Sequence, residues 1–153
     1  MKHLGDFKNF KLKEFDSLLI DSLNKWSLLV LRLSLGVVFI WFGALKPFGD
    51  SPANDVIVKT IYWFDPDIFI PILGYWEVLI GICLLYTPLI RFGLLLLALQ
   101  MPGTFLPLIL RPEICFLNFP FELTLEGQYI IKNLVLIGAA MVVGGRLVPI
   151  KHR

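Results

Sequence analysis

The sequence predicts an all-α integral membrane protein, a bundle of four transmembrane helices. Three observations carry this. The 153 residues are 57% hydrophobic and only 17% charged, more apolar surface than a soluble domain of this size could hide. Four apolar runs each reach the roughly 20 residues needed to cross a hydrocarbon core of about 30 Å. None of the four has the polar face that marks a surface helix of a soluble bundle.

Residues 1–25 form a charged arm ahead of the first run. Leu12, Phe15, Leu19, Leu23 and Trp26 recur at helical spacing, so the arm reads either as a helix lying in the cytoplasmic interface or as an extension of the first span. The first span covers 26–45 with one charge, Arg32, and ends in Lys46-Pro47. It therefore does not read as a cleaved signal peptide, which ends in small residues. In the first outer loop Ser51-Pro52 is a helix start, and Ile57, Val58, Ile61 and Phe64 give an apolar stripe. A short amphipathic helix across the outer mouth is expected, with Tyr62 and Trp63 at headgroup level.

The second span covers 68–86 and carries Glu77. The third, 92–110, is uncharged but holds Gln100, and its Met101-Pro102-Gly103 and Pro107 predict a kink. The fourth, 127–145, contains Lys132. Residues 26–147 thus form one four-span domain, followed by a short tail, 148–153.

Basic residues set the orientation. Lys2, Lys8, Lys11, Lys13, Lys25, Arg91, Arg146, Lys151 and Arg153 fall on one side, against Lys46, Lys59 and Arg111 on the other. Both termini are expected in the cytoplasm. The net charge of +2 is a product of this topology and gives no reason to expect nucleic acid.

Ionisable groups inside a membrane face the bundle interior and find partners. Arg32, Glu77, Gln100 and Lys132 are the intramembrane set, with Lys46 and Glu126 at the outer rim. Helical rise puts Glu77 and Gln100 near mid-membrane, Lys132 about 8 Å from the outer end and Arg32 about 9 Å from the inner end. Glu77 is expected to pair with Arg32 or Lys132, and Lys46 with Glu126. Arg32, Gly36, Phe39, Gly43 and Lys46 form one stripe, and Gly74, Glu77 and Gly81 another. The small residues allow close helix approach. On the fourth span Glu126, Tyr129, Asn133, Ala140 and Gly144 share a face, with Lys132 on its flank. These groups read either as a ligand pocket, with Trp41 and Trp76 as walls, or as a pairing that fixes helix register.

Some chemistries are disfavoured. The two histidines, His3 and His152, lie near the chain ends, so neither haem ligation within the bundle nor a metal site is expected. Cys83 and Cys115 fall at opposite ends of the bundle, too far apart for a disulfide.

LRLSLGVVFIWFGALKPF (31–48) and GYWEVLIG (74–81) resemble the first two spans of the DoxX-like superfamily, and LTLEGQYIIKNLVLIGAA (123–140) resembles its YkgB-type branch. The resemblance implies an inner-membrane four-helix fold and an association with redox chemistry or oxidative stress. Its family positions here are Arg32, Lys46, Glu77, Glu126 and Lys132. The expected function is therefore a redox-associated membrane protein binding a small apolar ligand, a quinone, with a partner subunit if it is an enzyme. Its rivals are a non-catalytic subunit or assembly factor of a larger complex and a small oligomeric transporter.

Overall fold

The computed structural model describes residues 2–147, and the side chains of 13–147. The expected tail, 148–153, lies outside the described residues. Four helices long and apolar enough to cross a membrane account for most of the rest. They are α1 (Lys2–Leu45), α3 (Pro66–Leu85), α4 (Ile90–Leu110), and the pair α6 (Leu125–Ile131) and α7 (Asn133–Gly145), which together make the fourth. Helix α2 (Asn54–Thr60) precedes α3, and α5 (Pro112–Cys115) follows α4. Leu95, Leu99, Tyr75, Ile72 and Val135 are all more than half exposed, and lipid is the solvent that accepts such an outer face.

Helix α1 is continuous for 44 residues, about 66 Å at 1.5 Å per residue. Every side chain from Lys13 to Ser27 is exposed, and packing begins only at Leu28. The arm is thus helical and runs unbroken into the first span, as the extension alternative has it. The bundle proper is set by α3 and α4, of 20 and 21 residues, each about 30 Å long.

Helices α1 and α3 are the most extensively packed pair, and glycine explains why. A Cβ on Gly36 would lie 3.1 Å from the Gly81 carbonyl oxygen, and one on Gly81 would lie 2.6 Å from that of Gly36. Gly43 and Gly74 repeat the arrangement, with a Cβ on either meeting the other's carbonyl oxygen at 2.6–2.7 Å. Two glycine contacts seven residues apart on each antiparallel helix bring the backbones together and fix their register. Leu35, Phe39, Ile80, Leu84, Leu96, Leu97 and Val143 fill the core around this seam.

The connections divide the molecule into two ends. At one end lie the Thr87–Leu89 turn joining α3 to α4 and the C-terminus of α7. At the other, here the loop end, α2 packs through Val56 against Cys115 and Ile130, and Arg111 Nε donates to the Lys59 carbonyl at 2.9 Å. The short helix expected in this loop is present, but it begins after the Ser51-Pro52 turn. Ser51 Oγ accepts from Ala53 N at 3.4 Å instead of capping α2 directly. Asp65 caps α3, with Oδ1 accepting from Asp67 N at 3.0 Å.

Two features of the loop end were not anticipated. β1 (Phe116–Asn118) and β2 (Glu122–Leu123) pair as an antiparallel hairpin, with Phe116 opposite Leu123. The fourth helix is also interrupted at Lys132, where Asn133 Nδ2 donates to the Tyr129 and Ile130 carbonyls at 3.1 and 3.0 Å. That side chain competes with the helix for its own backbone. In α4, by contrast, Pro102 and Pro107 lie inside one unbroken helix.

Candidate functional site

The polar residues of the interior separate into three places. Lys46, Glu77 and Gln100 come together. Lys46 Nζ forms an ion pair with Glu77 Oε2, and Gln100 Nε2 donates to Glu77 Oε1 at 2.7 Å. Lys46 is 5% exposed and Glu77 9%, so both charges are withdrawn from solvent and each depends on the other.

The glycine seam builds this unit. Gly43 packs on the Cβ of Glu77, and Lys46 follows it by one helical turn at the end of α1. Side chains lean toward the N-terminus of their own helix. Because α1 and α3 are antiparallel, Lys46 leans inward and Glu77 leans back toward it. The positive charge also lies at the C-terminal end of α1, where the helix dipole favours it. Asn54 Nδ2 donates to the Lys46 carbonyl at 3.4 Å and ties the turn to α2. Gln100 closes the unit from α4, and its main-chain carbonyl accepts from Thr104 Oγ1 at 3.4 Å.

The expected partners of Glu77 are therefore corrected. Arg32 is 14 residues from Lys46 on the same helix, about 21 Å along its axis. Its Nη1 donates to Thr87 Oγ1 at 3.2 Å at the opposite end of the bundle. Lys132 is exposed at the helix interruption, with its Nζ 4.2 Å from the Tyr129 ring centroid. Glu126 is exposed as well and does not pair with Lys46. The cause lies in Gly127, where a Cβ would fall 2.1 Å from the Cys115 carbonyl oxygen. Only glycine fits, so α6 turns Gly127 and Ile130 inward and carries Glu126, Tyr129 and Lys132 outward. The expected inward face of the fourth span is thereby rotated by about one residue at its start, while Ala140 on α7 is buried as expected.

Gln100 Oε1, Asn54 Oδ1 and Trp76 Nε1 are buried without a hydrogen-bond partner among the described residues. The first two are acceptors, and the third is a donor on the residue that precedes Glu77 in the chain. Trp76 packs against the core, while Trp41 is 64% exposed on the outside of α1. A groove of about 560 Å³ opens between α4 and α7, lined by Leu97, Met101, Phe105, Ile137, Met141 and Gly144. Its lining is apolar, and none of the six polar candidates belongs to it. Met101 lines the groove while its neighbour Gln100 holds Glu77, so the two features occupy adjoining faces of one turn of α4.

Sequence reasoning missed Thr87 and Asn54, the polar partners at either end of the α1–α3 seam; a Thr-Pro turn abutting a span was the available signal for the first. Cys83 and Cys115 are both buried free thiols. Burial, and then the carboxylates of Glu113 and Glu126, raise the Cys115 thiol above its ordinary value, which keeps it protonated and unreactive at neutral pH.

With four apolar helices and this charged seam in place, comparison with known families is decisive. The DoxX family model matches residues 27–109, more than half of the chain. The chain belongs to the DoxX family. No curated protein and no solved structure matches it. The matched region contains all three residues of the buried unit and the whole α1–α3 glycine seam, so the features that build the site lie within the DoxX domain.

Proposed function

We propose that this DoxX-family chain is a redox- or oxidative-stress-associated protein of the inner membrane, with both termini cytoplasmic, that binds a small apolar ligand of the quinone class. Within the family we place it in the YkgB-type branch, on segment 123–140, which lies beyond the matched residues. The observation that carries the ligand reading is the Lys46–Glu77–Gln100 unit, with its unpartnered donor and acceptor, backing onto an apolar groove on the same turn of α4. A buried polar atom without a partner costs roughly 1–3 kcal/mol, and a ligand with both a carbonyl and a hydroxyl oxygen supplies what both atoms need.

In this reading the groove takes the ligand's apolar body. Glu77 holds the Lys46 ammonium charged and in place, and Lys46 or Trp76 donates to a carbonyl oxygen. Gln100 Oε1 accepts from a hydroxyl. Arg32, Glu126 and Lys132 fall outside this site because they sit elsewhere on the bundle. Any electron transfer draws on a partner subunit for its second redox centre.

A second reading, a non-catalytic subunit whose ion pair sets helix register, is favoured by the glycine contacts that surround the pair. Titration of the purified protein with a short-chain quinol, whose hydroxyl can donate to Gln100 Oε1, followed by tryptophan fluorescence, separates the two. The ligand reading expects saturable quenching, weakened about tenfold in Gln100→Leu by loss of one hydrogen bond. Unsaturable quenching that is identical in both proteins would favour the register reading.

A further inference from the structure

The end of the bundle opposite the buried unit has a chemistry of its own. Gly36 faces Gly81, so four residues further along each antiparallel helix Arg32 lies level with Leu85, the last residue of α3. Arg32 is thus at the edge of the bundle, not a turn and a half inside it as its place in the apolar run suggested. The run starts earlier than the bundle does, because α1 continues beyond its neighbours.

Among the described residues the half-buried Arg32 guanidinium donates only to Thr87 Oγ1 and keeps its Nε buried without a partner. No carboxylate among the described residues pairs with it. The nearest along α1 is Asp21, eleven residues away and about 16 Å along the axis. Other basic residues flank this end of the bundle in the chain. Leu31, Ile90 and Leu147 join one hydrophobic cluster, and each is the chain neighbour of an arginine: Arg32, Arg91 and Arg146. Lys25 stands two turns from Arg32 on the same face of α1. Helix α4 begins here without a side-chain cap, which adds the positive end of a 21-residue helix dipole. Thr87, having accepted from Arg32, retains a hydroxyl proton to donate.

We infer that this end of the bundle is a binding site for the phosphate of an anionic phospholipid headgroup, held by Arg32 and Thr87 and attracted by Arg91, Arg146 and Lys25. A guanidinium level with the end of a membrane-spanning helix lies at the depth of lipid phosphates, and its planar donor fork matches phosphate oxygens. The two ends of the seam then have separate tasks. Lys46 is neutralised by the protein's own carboxylate, and Arg32 by lipid.

The test is native mass spectrometry of the full chain released from micelles that contain equal phosphatidylglycerol and phosphatidylcholine. Wild type is expected to retain phosphatidylglycerol preferentially. Arg32→Gln should lose that preference about tenfold, Arg32→Lys should keep part of it, and Lys59→Gln at the loop end should match wild type. Equal retention of the two lipids by wild type would overturn the site, as would an undiminished preference in Arg32→Gln. Displacement of the lipid by millimolar inorganic phosphate would also overturn it, showing a free-anion site. If Arg32→Gln does not fold, the wild-type preference and the Arg32→Lys value still decide the matter.

Discussion

At the scale of single residues, the interior is organised by one carboxylate. Glu77 accepts from Lys46 on one oxygen and from Gln100 on the other, which neutralises its charge and binds three helices together. Removing one member of a buried pair strands the other, at a cost of about 3–5 kcal/mol, whereas replacing both by apolar groups of similar volume is often neutral. Glu77→Leu alone should therefore unfold at much lower temperature in detergent, and Lys46→Met/Glu77→Leu should recover most of the loss. Independent, additive losses in the double variant would show that the two side chains do not act as a pair. Sequence reading identified Glu77 and Gln100 as polar groups of the interior and Lys46 as a group of the outer rim. It paired Glu77 wrongly because counting along the chain locates a Cα, whereas the partner depends on which way a long side chain leans. Lys46, at the rim by its Cα, reaches inward.

At the scale of elements, helix existence was legible and helix rotation less so. Uninterrupted apolar runs set the four spans, and the glycines of 36–43 and 74–81 were recognisable as a close seam because they share a stripe with the charged residues. The fourth span was misoriented at its start, since its rotation depends on a non-local contact, Gly127 beneath the Cys115 carbonyl. The β1–β2 hairpin was missed for a related reason. Its strands are three and two residues long, too short to show an alternating pattern.

The seam itself makes a prediction at this scale. A methyl at Gly74 would fall 2.7 Å from the Gly43 carbonyl oxygen, whereas one at Gly138 meets nothing within 4 Å. Gly74→Ala must push the backbones of α1 and α3 apart, at about 1–3 kcal/mol. Gly138→Ala should be neutral, or stabilising by about 0.5–1 kcal/mol, because alanine is the better helix former. Thermal unfolding of the two variants side by side checks this, and equal melting temperatures would contradict the seam.

At the scale of the whole molecule, the antiparallel seam separates two kinds of polarity. A charge-neutral buried unit lies toward the loop end beside an apolar groove, and the far edge of the bundle is flanked by basic residues. Fold class and membrane residence followed from hydropathy alone, because solvent chemistry acts on every residue of a span. The site could be read only as a set of candidates, since six polar residues in four helices allow many pairings until glycine contacts choose among them.

The most direct test of the proposed site is mass spectrometry of small molecules extracted from gently purified protein, with wild type beside Gln100→Leu and the Lys46→Met/Glu77→Leu double variant. The account predicts a near-stoichiometric quinone-class molecule in wild type, depleted in Gln100→Leu and absent from the double variant although that protein remains folded. The same ligand content in all three proteins, or none in any, would contradict it and leave the Lys46–Glu77–Gln100 unit as a device for holding the helices in register.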